Sequence, residues 1–121
     1  MKKTIIISGA KGNLGQAAVK LFLEKNYNVA ATVSHGNSLG FMDDHASLSV
    51  HELNATNAEA CRLFVNKVAA DFGSIDGALL LIGGFASGDI HKVTMADFEK
   101  QLQLNFNTAF NLAQPVFEKM A

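Results

Sequence analysis

The sequence is poor in cysteine, proline and tyrosine, with one of each in 121 residues, and it holds no long apolar run. A lone Cys61 excludes an internal disulfide. It falls on the apolar stripe of an expected helix, where a buried structural thiol is a commoner role than a reactive one. Charge is scarce as well: 17% of residues are charged, the signs nearly cancel at a formal net charge of −1, and like charges form no run. That balance argues against nucleic acid or an anionic membrane as a partner. After Met1-Lys2-Lys3 the first apolar stretch breaks at Ser8-Gly9, too short for a signal peptide and far too short to span a bilayer. A cytoplasmic protein is expected. His45, His51 and His91 lack metal-ligand spacing with each other and with Cys61, so no metal site is expected. Asp43-Asp44 lies on a glycine-containing loop, where a solvated pair is the simpler reading.

What the chain does have is apolar surface, at 49% of its residues, enough for one compact domain spanning residues 1–121. Lys3–Ser8 is a β-prone run ending at glycine. Leu14, Ala17, Ala18, Leu21 and Phe22 then recur on one helical face, and Asn26 closes that helix. Asn28–Val33 reads as a second strand. Ser34–Ser47 has no sustained period and reads as loop, with room for one helical turn around Leu39–Asp43. Leu48–Leu53 alternates as a third strand, and Thr56-x-x-Glu59 has the capping-box spacing of a helix start. Cys61, Phe64, Val65, Val68, Ala69 and Phe72 share the stripe of that helix, which Gly73 ends. Gly77–Ile82, apolar on both faces, reads as a strand covered on each side. Thr94-x-x-Asp97 opens a final long helix with Phe98, Leu102, Phe106, Ala109, Ala113, Val116 and Phe117 near one side, which Pro115 should bend. Such alternation of strands and helices implies an α/β fold, a parallel sheet with right-handed crossovers and helices on both faces.

Between the first strand and helix stands Ser8-Gly9-Ala10-Lys11-Gly12-Asn13-Leu14-Gly15. A glycine-rich turn in that context lets the backbone approach a pyrophosphate, whose charge meets the positive end of the helix dipole. The plainer alternative is a turn that serves only close helix–strand packing.

These residues resemble the phosphate loop of the short-chain dehydrogenase/reductase family, Thr-Gly-x-x-x-Gly-x-Gly. Ser8, Gly9 and Gly15 match, Asn13 stands at the middle glycine, and Gly12 sits one place earlier. Further signposts keep the family's order. Asn54-Ala55 occupies the place of the Asp-Val/Leu pair that lines the adenine pocket. Phe72-Gly73-Ser74-Ile75-Asp76 is similar to the Phe-Gly-x-Ile-Asp before the fourth strand. Leu81-Ile82-Gly83-Gly84 stands where Asn-Ala-Gly is usual, and Leu104-Asn105-Phe106-Asn107-Thr108 resembles the segment whose asparagine kinks a helix and supports a proton-relay water. Otherwise Asn105 is an exposed helical residue. Within the family the chain looks most like dihydropteridine reductases, through Lys11 in the loop and the run Gly83-Gly84-Phe85-Ala86.

The resemblance implies a Rossmann-type, doubly wound parallel sheet of order 3-2-1-4. It implies a nicotinamide dinucleotide held by Gly9, Lys11, Gly12, Asn13, Leu14, Gly15, Ser34, His35, Asn54, Ala55, Gly83 and Gly84, and hydride transfer to a small carbonyl or pterin-like substrate beside Gly83–Asp89. At the end of the second strand, Val33-Ser34-His35 offers no carboxylate for the ribose 2′-hydroxyl of NAD. Lys11, Ser34 and His35 suit a 2′-phosphate instead, which favours NADP; as solvated surface residues they would leave the choice open. The Tyr-x-x-x-Lys pair that the family uses for proton transfer is absent, and Tyr27 lies between the first helix and second strand. With only Asn105 of that machinery present, the chain is expected to be a C-terminally truncated reductase, inactive alone. Its last strand, apolar yet at a sheet edge, would then invite pairing, so a homo-oligomer through that edge or the final helix is expected. The alternatives are a non-catalytic dinucleotide-binding remnant or redox-sensing module, or another α/β fold with a glycine turn.

Overall fold

A computed structural model describes residues 2–36, 38–83 and 92–120. Four strands, β1 (Thr4–Ser8), β2 (Asn28–Val33), β3 (Leu48–Glu52) and β4 (Gly77–Leu80), form one parallel sheet in the order β3-β2-β1-β4. Helices α1 (Asn13–Glu24), α2 (Ala58–Phe72), α3 (Met95–Leu102) and α4 (Thr108–Met120) complete the described elements, with a π-helical turn at Gln103–Asn107 between the last two. The Rossmann-type order expected from the sequence is the order found.

Period-two alternation explains why both faces are covered. Ile5 and Ile7 of β1, with Val29, Ala31 and Val33 of β2, pack on Ala18, Val19 and Leu23 of α1. Ile6 and Ala30 point the other way, onto Cys61, Phe64, Val65 and Val68 of α2 and Leu112 and Val116 of α4. The loop after β2 also joins the first layer: Leu39 is buried there, and Asp43 folds the loop by accepting from Leu39 N at 2.7 Å and Ser38 Oγ at 2.8 Å. Those bonds hold the Asp43 carboxyl below its ordinary range. No helix forms around Leu39–Asp43.

Three local expectations are corrected. Helix α2 is capped by Asn57, whose side chain accepts from Ala60 N at 3.0 Å, and not by a Thr56–Glu59 box; the Thr56 hydroxyl is taken up by Asn54. Gly73 does end this helix, in the left-handed region at φ 84°. On α1 the buried residues are Gly15, Ala18, Val19 and Leu23, while Leu14, Ala17 and Leu21 are exposed. The contact of Gly15 with the glycine turn sets the rotation of that helix, so the buried stripe lies one position along from the larger side chains. The third correction concerns the C-terminal helices. The Thr94–Asp97 box forms with both its bonds, but α3 buries none of its residues, and α4 buries Thr108, Leu112, Pro115 and Val116. Phe98, Leu102, Phe106 and Phe117 are all exposed.

The long helix is broken because the π-turn inserts one residue. Thr108 N reaches back five residues to Gln103 O, and the Leu104 carbonyl so bypassed accepts the Thr108 hydroxyl at 2.6 Å. Strand β4 is half-buried along its length, as an edge strand covered by part of a layer would be. Its far pairing is fixed at the start by Asp76, whose backbone amide donates to Thr4 O and whose carboxylate accepts from Thr4 N, both at 2.8 Å.

Candidate functional site

A cleft of about 560 Å³ opens at the carboxyl ends of the strands, where the turn after β1 meets the segments after β2, β3 and β4. This is the crevice in which open α/β sheets bind ligands. Its floor is the glycine turn. Gly9 has φ 67°, and a Cβ there would stand 2.8 Å from the Leu81 backbone, so only glycine lets β1 end this close to β4. Ser8 Oγ accepts from Leu81 N at 3.1 Å and Ala10 N donates to Thr32 O at 3.2 Å, tying the turn to both neighbouring strands.

The turn delivers the chain into α1 with Gly12 at the N-cap, extended at φ −68° and ψ 165°. Gly12 has no side chain to cap with, and the first turn of the helix carries no acidic residue. The opening amides of a helix have no acceptor within it. At this end they are left for an anion, with the helix dipole favouring negative charge. Gly15 serves packing: its Cα meets the Gly9 carbonyl, and a methyl there would lie 2.2 Å from that oxygen.

Of the residues singled out in the sequence, Gly9, Lys11, Gly12, Ser34, His35, Asn54, Ala55 and Gly83 line the cleft. Asn13, Leu14 and Gly15 form the first turn of α1 outside the lining, and the Leu14 side chain is exposed. Gly84 lies outside the described residues, as do Phe85, Ala86, Asp89 and His91. Asn105 sits within the π-turn, its Nδ2 donating to Gln101 O at 2.9 Å; a Cβ built on Gly83 would come within 2.8 Å of Asn105 Oδ1. The asparagine therefore stands at the β4 side of the cleft. Tyr27 lies at the opposite end of the sheet, packed edge-on to Phe22 at 5.0 Å.

Sequence reasoning missed Thr32, Thr56, Leu104 and Thr108, which also line the cleft. The last two arrive through the π-turn, which no apolar period announces. It missed Glu52 too, which holds the loop after β2 by accepting from Gly36 N at 3.1 Å. Cys61 is fully buried beneath the cleft wall, its Sγ 3.6 Å from the Ala55 carbonyl, and burial pushes its thiol up to about 11. Among the described residues no three His, Cys, Asp or Glu side chains gather as a metal site, and no helix is long and apolar enough to cross a membrane.

Residues 3–121 match the family model for short chain dehydrogenase. The chain is similar to an acetoacetyl-CoA reductase of Acinetobacter sp. (strain RA3849), 25% identical over 98% of this chain and 51% of the relative. An acetoacetyl-CoA reductase of Shinella zoogloeoides is 27% identical over 99% of this chain and 50% of the relative. The chain thus spans about half the length of the curated relatives it matches. Among solved structures, ElxO with NADP bound superposes at a TM-score of 0.89 with 22% identity, over 98% of this chain and 50% of that one. Ligand-free aldohexose dehydrogenase from Thermoplasma acidophilum gives 0.87 with 19% identity, over 98% and 44%. These superpositions establish a shared fold.

Proposed function

This chain belongs to the short-chain dehydrogenase family, and from that premise we propose that it is the dinucleotide-binding part of a reductase that takes NADP in preference to NAD. The observation that carries the reading is the uncapped start of α1 beside a turn too tight for any residue but glycine at position 9. A diphosphate fits that cradle. The adenosine half then extends over β2 and β3, toward Ser34, His35, Asn54 and Ala55, and the nicotinamide half over β4, toward Gly83 and Asn105. Gly84, outside the described residues, would continue that side. Lys11 and His35, with no carboxylate beside them in the cleft lining, supply positive charge and donors for a 2′-phosphate. The cofactor would supply a hydride; the chain's own residues bind it and orient its nicotinamide ring.

The substrate we propose is a small carbonyl or pterin-like compound. Its proton donor must come from residues beyond these 121, since Tyr27 is remote and no Tyr-x-x-x-Lys occurs, so this chain by itself binds without turnover. Asn105 takes a supporting place in the proton relay. We further propose that the exposed side of α3 and α4, with Phe98, Phe106 and Phe117, pairs with a second copy. A cytoplasmic location suits the single unpaired Cys61 thiol.

Titration with NADPH and NADH, followed by nicotinamide fluorescence, tests the reading. Saturable binding with NADPH the tighter, lost in Gly9→Val, is expected. Absence of binding by either dinucleotide, or equal binding by Gly9→Val, would overturn it. A solution mass measurement showing a soluble monomer would remove the pairing.

A further inference from the structure

The segment 53–56 leaves β3 and forms one wall of the cleft. It is held from two helices: the Ala55 carbonyl accepts from Asn111 Nδ2 of α4 at 3.0 Å and from Cys61 Sγ of α2 at 3.6 Å. Within the segment, Asn54 folds back on its own loop. Its Oδ1 accepts from Thr56 N at 3.1 Å and from Thr56 Oγ1 at 2.6 Å. A backbone amide can only donate, so its partner on Asn54 must be the oxygen, and the usual ambiguity between amide oxygen and nitrogen is removed. With Oδ1 engaged twice, the group left for a ligand is Nδ2, a pure donor. It has no protein acceptor among the described residues, and its residue is exposed and lines the cleft.

We propose that Asn54 makes this a base pocket that presents a donor, and that the pocket therefore does not select a 6-amino purine over a 6-oxo purine. The inference rests on the dinucleotide reading above, which brings the base to residues 53–56. The 6-amino group of adenine is itself a donor and gains nothing from Nδ2, while ring N1 beside it is an acceptor and does. A 6-oxo purine presents its O6 acceptor to the same amide. Both bases thus find one hydrogen bond here. A carboxylate at this position would behave otherwise: one oxygen would keep the bond to Thr56 N, and the other, an acceptor only, would hold the 6-amino group and repel O6.

The test titrates the chain with NADPH and with its hypoxanthine analogue, for the wild type and for Asn54→Asp. The wild type binds the two with affinities that differ by less than about fivefold, the worth of one hydrogen bond. Asn54→Asp, which keeps the bond to Thr56 N, shifts the ratio toward NADPH by more than that factor. A wild-type preference for NADPH beyond that factor overturns the inference, as does a ratio unmoved in Asn54→Asp. Should the variant fail to fold, the wild-type ratio alone decides. If the wild type binds neither dinucleotide, the cofactor reading itself falls, a result distinct from binding without the expected ratio.

Discussion

The Cα of Gly15 lies against the carbonyl oxygen of Gly9, so close that a methyl group on it would stand 2.2 Å from that oxygen. The contact locks the first turn of α1 onto the end of β1 and sets which side of the helix faces the sheet. Gly15→Ala must therefore push helix and turn apart. Overpacking of this kind costs about 1–3 kcal/mol. Chemical denaturation should show that loss, and NADPH titration should show weakened binding. Gly12 is the control: a Cβ there meets nothing closer than 3.5 Å, and its φ of −68° suits any residue. Gly12→Ala should fold with near wild-type stability, so any affinity it loses reports on the cleft alone.

Cys61 is expected to be inert. Its thiol is buried and pushed up to about 11 from an ordinary value near 9, so almost no thiolate exists at neutral pH. An aromatic disulfide reagent should label the native protein only at the rate of unfolding. The sign of the linked stability follows: between pH 9 and about 11 the unfolded thiol ionises while the folded one stays protonated, so stability falls as pH rises through that window. Cys61→Ala should lose that part of the alkaline slope, and equal slopes in melts from pH 8.5 to 11 would contradict it.

His51 gives the opposite slope. It is half-buried against Phe64, its ring centroids 5.1 Å apart, and its Nε2 lies 2.9 Å from Ser49 Oγ. Burial lowers its pKa first, Lys67 lowers it further, and Asp71 opposes them. A histidine depressed in the folded state stabilises the fold above its unfolded value near 6.5, and that contribution is lost as pH falls through the lower folded value. His51→Gln should flatten the stability profile below pH 6.5. An unchanged acid limb in thermal melts would rule the assignment out.

The strands and the glycine turn were legible because they obey local rules. Val29, Ala31 and Val33 alternate with Ala30 and Thr32, and the turn sits where strand gives way to helix. The helix faces were harder. On α1, Leu14 and Leu21 look like core residues by size, yet small Gly15 and Ala18 are buried because the backbones meet closely there. On α3 and α4 an unbroken 3.6-residue period joins Phe98 to Phe117, but the π-turn adds a residue and rotates everything after it. Side-chain bonds from Thr108 and Asn105 to backbone carbonyls sustain that turn, and such bonds leave no mark on hydropathy. For the same reason the reach of Leu104 and Thr108 into the cleft was not foreseen.

Asn111 shows what that hidden geometry does for the site. From α4 it donates to the Ala55 carbonyl at 3.0 Å, across 56 positions of sequence, and so fixes the cleft wall that follows β3. The same carbonyl receives only a long, weak contact from Cys61 Sγ, so removing the amide leaves a partly buried acceptor poorly satisfied. Asn111→Ala should cost about 1 kcal/mol of stability, the net worth of one neutral hydrogen bond. Loosening that wall acts on the adenosine side of a dinucleotide and not on the nicotinamide side, which lies across the cleft against Gly83. Titration should therefore show weakened binding of adenosine 2′,5′-bisphosphate and unchanged binding of reduced nicotinamide mononucleotide. Equal weakening of both would mean that Asn111 supports the fold as a whole, and no weakening of either would mean that the wall holds its shape through α2 alone.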